Sequence, residues 1–167
     1  MRRAIELECG GQGLRAAVVD PAVRARVVRR FDGAAAFYTR HRWVTSVRTA
    51  IRLADPAAET VLESLSRAAM VEHGLPVPRC GAPITGDDGR VYWVDFWWPE
   101  FGVVGEADGL GKYDDVKVVV AEKRRQEAIE GRGLTVVRWG MAEVQPSPAV
   151  MLARVRAALA HAPRRRA

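Results

Sequence analysis

Two β-forming runs meet at a proline in VYWVDFWWPEFGVVGEADG, residues 91–109, and this hairpin constrains the chain more than any other stretch. VYWVDFWW is dense in Val and aromatic residues, the types that fit a pleated, half-buried surface, so it reads as a strand. Pro99 and Glu100 end it, and FGVVGEADG begins the next. If Glu100 and Phe101 form a two-residue connection, paired positions sum to 201, which sets Pro99 opposite Gly102 and Asp95 opposite Glu106.

Side chains alternate along a strand, so Glu106 and Asp108 leave the same face. Opposed residues share a face with Cβ atoms about 5 Å apart, which brings Asp95 to Glu106. Two carboxylates at that separation repel by roughly 3 kcal/mol at an effective dielectric of about 20. Either one is protonated or a cation lies between them. Mg²⁺ takes oxygen ligands, keeps several waters, and can position a phosphate and activate a water, so hydrolysis of a phosphodiester is the chemistry such a pair suits. The alternative from spacing alone is that Asp95 faces solvent at a strand end while Glu106 and Asp108 cap a turn into Gly109.

Upstream, IELECGGQGLRAAVVD reads as β-type segments around a glycine-rich turn, PAVRARVVRRF as a short basic helix, and TSVRTAIRL as a helix capped by Thr45 or Ser46. CGGQG lacks the GK[ST] ending of a phosphate-binding loop, which removes a nucleoside triphosphate site. After Asp55-Pro56, AAETVLESLSRAAMVEHG sets Val61, Leu62, Leu65, Ala68 and Ala69 on one helical stripe ending at Gly74. The proline-spaced LPVPRCGAPI leads to the turn GDDG and the hairpin. Asp114 or Asp115 offers an N-cap for the helix VKVVVAEKRRQEAIEG, Gly131 and Gly133 stop it, LTVVRW is a buried-type strand, and PAVMLARVRAALAHA is a final helix. The organisation expected is a basic N-terminal appendage over 1–54, an α/β (α+β) domain over 55–160, and a basic tail over 161–167.

Charge follows the same division. Residues 1–54 hold eleven Arg against four acids, net +7; residues 55–145 hold ten Lys and Arg against sixteen acids, net −6; residues 146–167 hold five Arg and no acid. A basic frame around an acidic centre suits a phosphate-backbone binder with a metal-dependent site, and it is equally what arginine-rich codon usage and a solvated surface give. No apolar run reaches the roughly 20 residues that span a bilayer, and no secretory signal is evident, so a cytoplasmic protein without membrane contact is expected. Cys9 and Cys80 have neither metal-ligand nor disulfide spacing, and His41, His73 and His161 show no paired-ligand spacing.

The stretch from Glu59 to Trp139, and in it VDFWWP, GEADGLGKY and the EKRR helix followed by VVRW, resembles an actinobacterial nuclease-like family related to very-short-patch repair endonucleases, within the PD-(D/E)XK restriction-endonuclease-like superfamily. The resemblance covers about half the chain. It implies a mixed sheet flanked by helices, Asp95 and Glu106 as ligands of Mg²⁺ (or Mn²⁺), and Glu59 or Glu63 as the extra carboxylate that the first helix often supplies. Where the superfamily has acid-x-Lys, this chain has Glu106-Ala107-Asp108. The lysine that steadies the developing phosphate charge is displaced, with Lys112 the favoured substitute and Lys123 the second.

Other residues carry two readings each. Glu59 and Glu63 share a helix face, either as site carboxylates or as a solvated pair in which Glu63 meets Arg67. Lys123, Arg124 and Arg125 contact phosphates or interleave with Glu122 and Glu127, and Lys123 is expected to face the site. Trp93, Trp97, Trp98 and Trp139 are expected in the core rather than stacked on bases. The leading expectation is a metal-dependent DNA endonuclease in which Asp95 and Glu106 bind the metal, with Glu63 as a further ligand, Asp108 assists and Lys112 holds the phosphate. The other is a non-catalytic nucleic-acid-binding or antitoxin-like module on a degenerate nuclease fold.

Overall fold

The computed structural model describes residues 2–8, 20–38, 40–108 and 116–162. Helices α1 (Arg2–Glu8), α2 (Pro21–Ala36), α3 (Val44–Leu53) and α4 (Val61–Glu72) precede strands β1 (Arg79–Thr85), β2 (Val91–Trp98) and β3 (Val103–Asp108). Helix α5 (Val116–Glu130), strand β4 (Thr135–Gly140), a 3-10 turn at Met141–Glu143 and helix α6 (Ala149–His161) follow. The four strands form one mixed sheet in the order β1-β2-β3-β4, antiparallel except for the parallel β3–β4 pair. This is the α+β class, a mixed sheet flanked by helices. No helix among the described residues is long and apolar enough to cross a membrane.

Both sheet faces are covered, which is why β3 and β4 are apolar along most of their length. On one face Phe96, Trp98, Val103, Val137 and Trp139 pack with Met70 of α4 and Met151, Leu152 and Val155 of α6. On the other, Val94, Val104 and Ile84 pack with Ile129 at the end of α5 and with Leu134. Trp139 stacks on Phe96 with ring centroids 5.4 Å apart. That stacking needs Gly105, because a Cβ there would lie 2.6 Å from the Trp139 ring. The Trp139 indole N–H donates to Ser66 Oγ at 2.8 Å, so the buried ring leaves no donor unmet. Ile5 and Val27 enter this same core from α1 and α2.

The β2–β3 register has the expected sum of 201, with Phe96 opposite Gly105 and Trp98 opposite Val103. Several local expectations are corrected. Residues 2–8 are helical rather than β-type, since their good helix formers bury Ile5 by tertiary packing; the rest of that segment, 9–19, lies outside the described residues. Helix α3 starts at Val44 after Trp43 with no side-chain cap, so Thr45 and Ser46 lie inside it. Helix α4 starts only after Thr60, whose hydroxyl accepts the Glu63 N–H; this leaves Val61 exposed and brings Ser66 and Met70 inward. The proline-spaced run is itself strand β1, in which Cys80, Ala82 and Ile84 point inward. Pro83 is tolerated there because β1 is an edge strand. Asp114 and Asp115 lie outside the described residues.

Candidate functional site

The two ladders that flank β2 both break at Asp95. Between β1 and β2 the paired positions run through Cys80–Phe96 and resume at Ala82–Val94, skipping Gly81 and Asp95. Gly81 has φ +55, a left-handed conformation that glycine adopts without penalty, and an added Cβ would meet Ala57 Cβ at 3.1 Å and Ala57 O at 3.2 Å. Between β2 and β3 the pairing stops at Phe96–Gly105. Beyond it the Asp95 carboxylate takes the place of a backbone acceptor, with Ala107 N–H donating to its Oδ2 at 2.8 Å.

Asp95 thus opens onto a cleft of about 80 Å³ lined also by Ala57, Glu59, Glu63, Gly81 and Trp93. Burial pushes its carboxyl up to about 6; the charges of Glu63 and Asp108 add to the rise, while the Ala107 N–H and Arg125 oppose it. Glu106, one strand away, is 6% exposed. Burial pushes Glu106 up to about 7, opposed mainly by Arg125 and reinforced by the Asp95 charge. The Asp95 charge thus adds to the cost of ionising Glu106, and Arg125 lowers the cost for both.

Arg125 of α5 faces this pair. Its Nη2 donates to Glu106 Oε1 at 2.7 Å and to the Trp93 carbonyl at 2.8 Å, and its Nη1 donates to Glu122 Oε1 at 3.1 Å. Arg138, opposite Glu106 on β4, donates to Glu122 and lies 3.7 Å from Asp108 Oδ2. Two carboxylates on the sheet and two guanidiniums therefore meet around Glu122. Asp108 belongs to the rim, its side chain 43% exposed.

The other expected residues fall elsewhere. Glu63 is buried, but its carboxylate closes the N-terminus of α4: Oε2 accepts the Glu59 N–H at 2.8 Å and Oε1 the Thr60 hydroxyl at 2.8 Å. Glu59 lies before the helix and pairs with Arg2 at 3.0 Å. Arg67 turns to Asp55 and to the Leu53 carbonyl instead of Glu63. Lys123, expected to face the site, is a surface residue 3.9 Å from Glu127, because the inward position on this helix belongs to Arg125, two residues on. Arg124 is exposed. Lys112 lies outside the described residues. Trp98 and Trp139 are in the core, while Trp93 and Trp97 are half-buried. Among the described residues, no three of His, Cys, Asp and Glu stand close enough to form a ready-made metal cage.

The sequence reading missed Gly81, Glu122 and Arg138. Arg138 carried a signal, since a charged residue inside the apolar strand LTVVRW needs a partner.

No family model matches the chain. Two uncharacterized proteins of Mycobacterium tuberculosis, one from strain CDC 1551 / Oshkosh and one from strain ATCC 25618 / H37Rv, are each 29% identical to it over 141 residues, 83% of this chain and 52% of the relative. The chain spans about half the length of these curated relatives. No solved structure matches.

Proposed function

We propose that this chain is a metal-dependent DNA endonuclease of the PD-(D/E)XK type, with Asp95 and Glu106 as the acidic pair. The observation that carries the reading is the double break in the sheet at Asp95, which leaves a carboxylate against β3 and beside a second buried carboxylate, both raised by burial. A fold keeps two such groups side by side at a cost in stability, and a divalent cation removes that cost. The donor set fits Mg²⁺, or Mn²⁺ in its place: hard oxygen ligands from two carboxylates, with water and substrate phosphate completing the shell in place of an all-protein cage. When bound, the metal would supply Lewis acidity toward a phosphodiester.

The protein's own groups have separate tasks. Asp95, held by the Ala107 N–H, would keep its orientation through the reaction. Arg125 holds Glu106, and Lys112, the favoured substitute for the displaced lysine, would steady the phosphate. Asp108 and Arg138 form the rim, and the exposed Lys123 and Arg124 offer charge to the backbone of DNA further out.

One observation favours a second reading, a nucleic-acid-binding or antitoxin-like module without catalysis: Glu106 already has a cation at 2.7 Å, and Asp108 stands where a lysine is expected. Cleavage of supercoiled plasmid with Mg²⁺ or Mn²⁺ separates the two. Wild-type protein should nick or linearise it, and Asp95→Ala should lose at least about 100-fold of that rate, the scale of removing one catalytic electrostatic group. Salt-sensitive DNA binding without cleavage supports the second reading, and equal cleavage by Asp95→Ala removes the first.

A further inference from the structure

We infer that the turn joining α2 to α3 is a binding site for single-stranded nucleic acid, separate from the carboxylate pair. Residues 37–43, FYTRHRW, hold three aromatic residues, two Arg and one His, and residues 33–54 hold four Arg and no Asp or Glu. Phe37 is 88% exposed, Tyr38 65% and Trp43 55%. Folded domains ordinarily cover such rings, so three on one turn form an apolar surface with an occupant to match. The Arg42 guanidinium lies over the Trp43 ring, 4.8 Å from its centroid, and the Trp43 backbone N–H donates to His41 Nδ1 at 3.3 Å within the turn. Tyr38 and Trp43 border a trough of about 600 Å³ whose walls also include Phe31, Ala35, Val44, Val47 and Ile51.

Charge and shape select the occupant. A trough lined by no acid, with the exposed Arg40 and Arg42 on the adjoining turn, attracts a polyanion. The rings and aliphatic walls offer faces on which bases stack irrespective of sequence, while the phosphates stay with Arg40 and Arg42 at the solvent side. A duplex keeps its base faces inside its own stack, so only an unpaired strand can use both halves of this surface. The inference deepens the nucleic-acid reading above by giving the chain a strand preference, and it rests on that reading for its biological sense.

The test is binding by the full chain in EDTA, where metal-dependent chemistry is silent, to a fluorescein-labelled oligothymidylate of about 15 nucleotides, close to one single-strand site. Tyr38→Ala with Trp43→Ala should weaken binding by roughly tenfold or more. Arg40→Gln with Arg42→Gln should weaken it and reduce the slope of log affinity against log salt by about 1.4. Matched circular dichroism and melting of both double variants show that folding is intact. No binding at low salt, equal binding by both double variants, or a matched duplex bound as tightly as the single strand would each overturn the inference. So would a dimer lost in the ring variant while oligonucleotide affinity stays unchanged, which identifies this face as a contact between copies. Loss of cleavage with strand binding intact overturns only the nuclease reading.

Discussion

Arg125 reaches from α5 to put one guanidinium nitrogen within 2.8 Å of both Glu106 Oε1 and the Trp93 carbonyl. The helix is thereby tied to two strands of the sheet, and the buried Glu106 charge is balanced at one point. Replacing Arg125 with Met removes the balance. Glu106, already pushed up to about 7, then titrates higher still, so at pH 8 folding must bury its charge uncompensated or take up a proton, whereas at pH 5 Glu106 is protonated with or without Arg125. Urea denaturation should show a loss of about 3 kcal/mol at pH 8 and a clearly smaller one at pH 5. Equal losses at both pH values would mean that Glu106 is not the partner that matters.

The hairpin was legible because β2 and β3 obey local rules: aromatic and β-branched residues, a proline at the turn, and a register fixed by counting from it. The β2–β3 pairs observed follow that count. Strand β1 was hidden because its edge position tolerates prolines that would exclude an interior strand. Around the site, the placing of Asp95 and Glu106 on neighbouring strands could be read, but the direction of side chains on α5 could not. Residues 123 and 125 differ by about 200° around a helix, so choosing which faces the sheet requires knowing the helix's rotation, which is set by Ile129 packing with Val94 and Val104 of the sheet. The αL turn at Gly81 left no pattern in the sequence beyond the glycine itself.

Asp95 gives a pH dependence with a defined sign. Its folded pKa, about 6, lies above the unfolded value of 3.8, so the folded state binds more protons between these values and stability falls as pH rises through them. Asp95→Asn keeps an acceptor for the Ala107 N–H and has no charge to bury. Without metal it should be more stable than wild type by about 1–3 kcal/mol at pH 8, with the gain vanishing below about pH 4. Denaturation midpoints across this range check it, and a gain independent of pH would contradict it.

Gly81 sets the break in the sheet that exposes Asp95. Gly81→Ala puts a Cβ 3.1 Å from Ala57 Cβ at a φ of +55, and should cost roughly 1–2 kcal/mol. Because the strain falls beside Asp95, plasmid cleavage should drop more than thermal unfolding would explain. A lower melting temperature with cleavage unchanged at a temperature where the variant is fully folded would detach Gly81 from the site.

The claim that Asp95 and Glu106 form a cation site is tested most directly by titrating Mn²⁺ into the metal-free chain at pH 7.5 or so, above both raised pKa values, following bound ion by electron paramagnetic resonance. Wild-type protein should bind one ion, and Asp95→Asn and Glu106→Gln should each weaken that binding by at least about tenfold, a loss of 1.4 kcal/mol. Saturable binding that is unchanged in both variants, or no binding by the wild type with or without DNA, would contradict it.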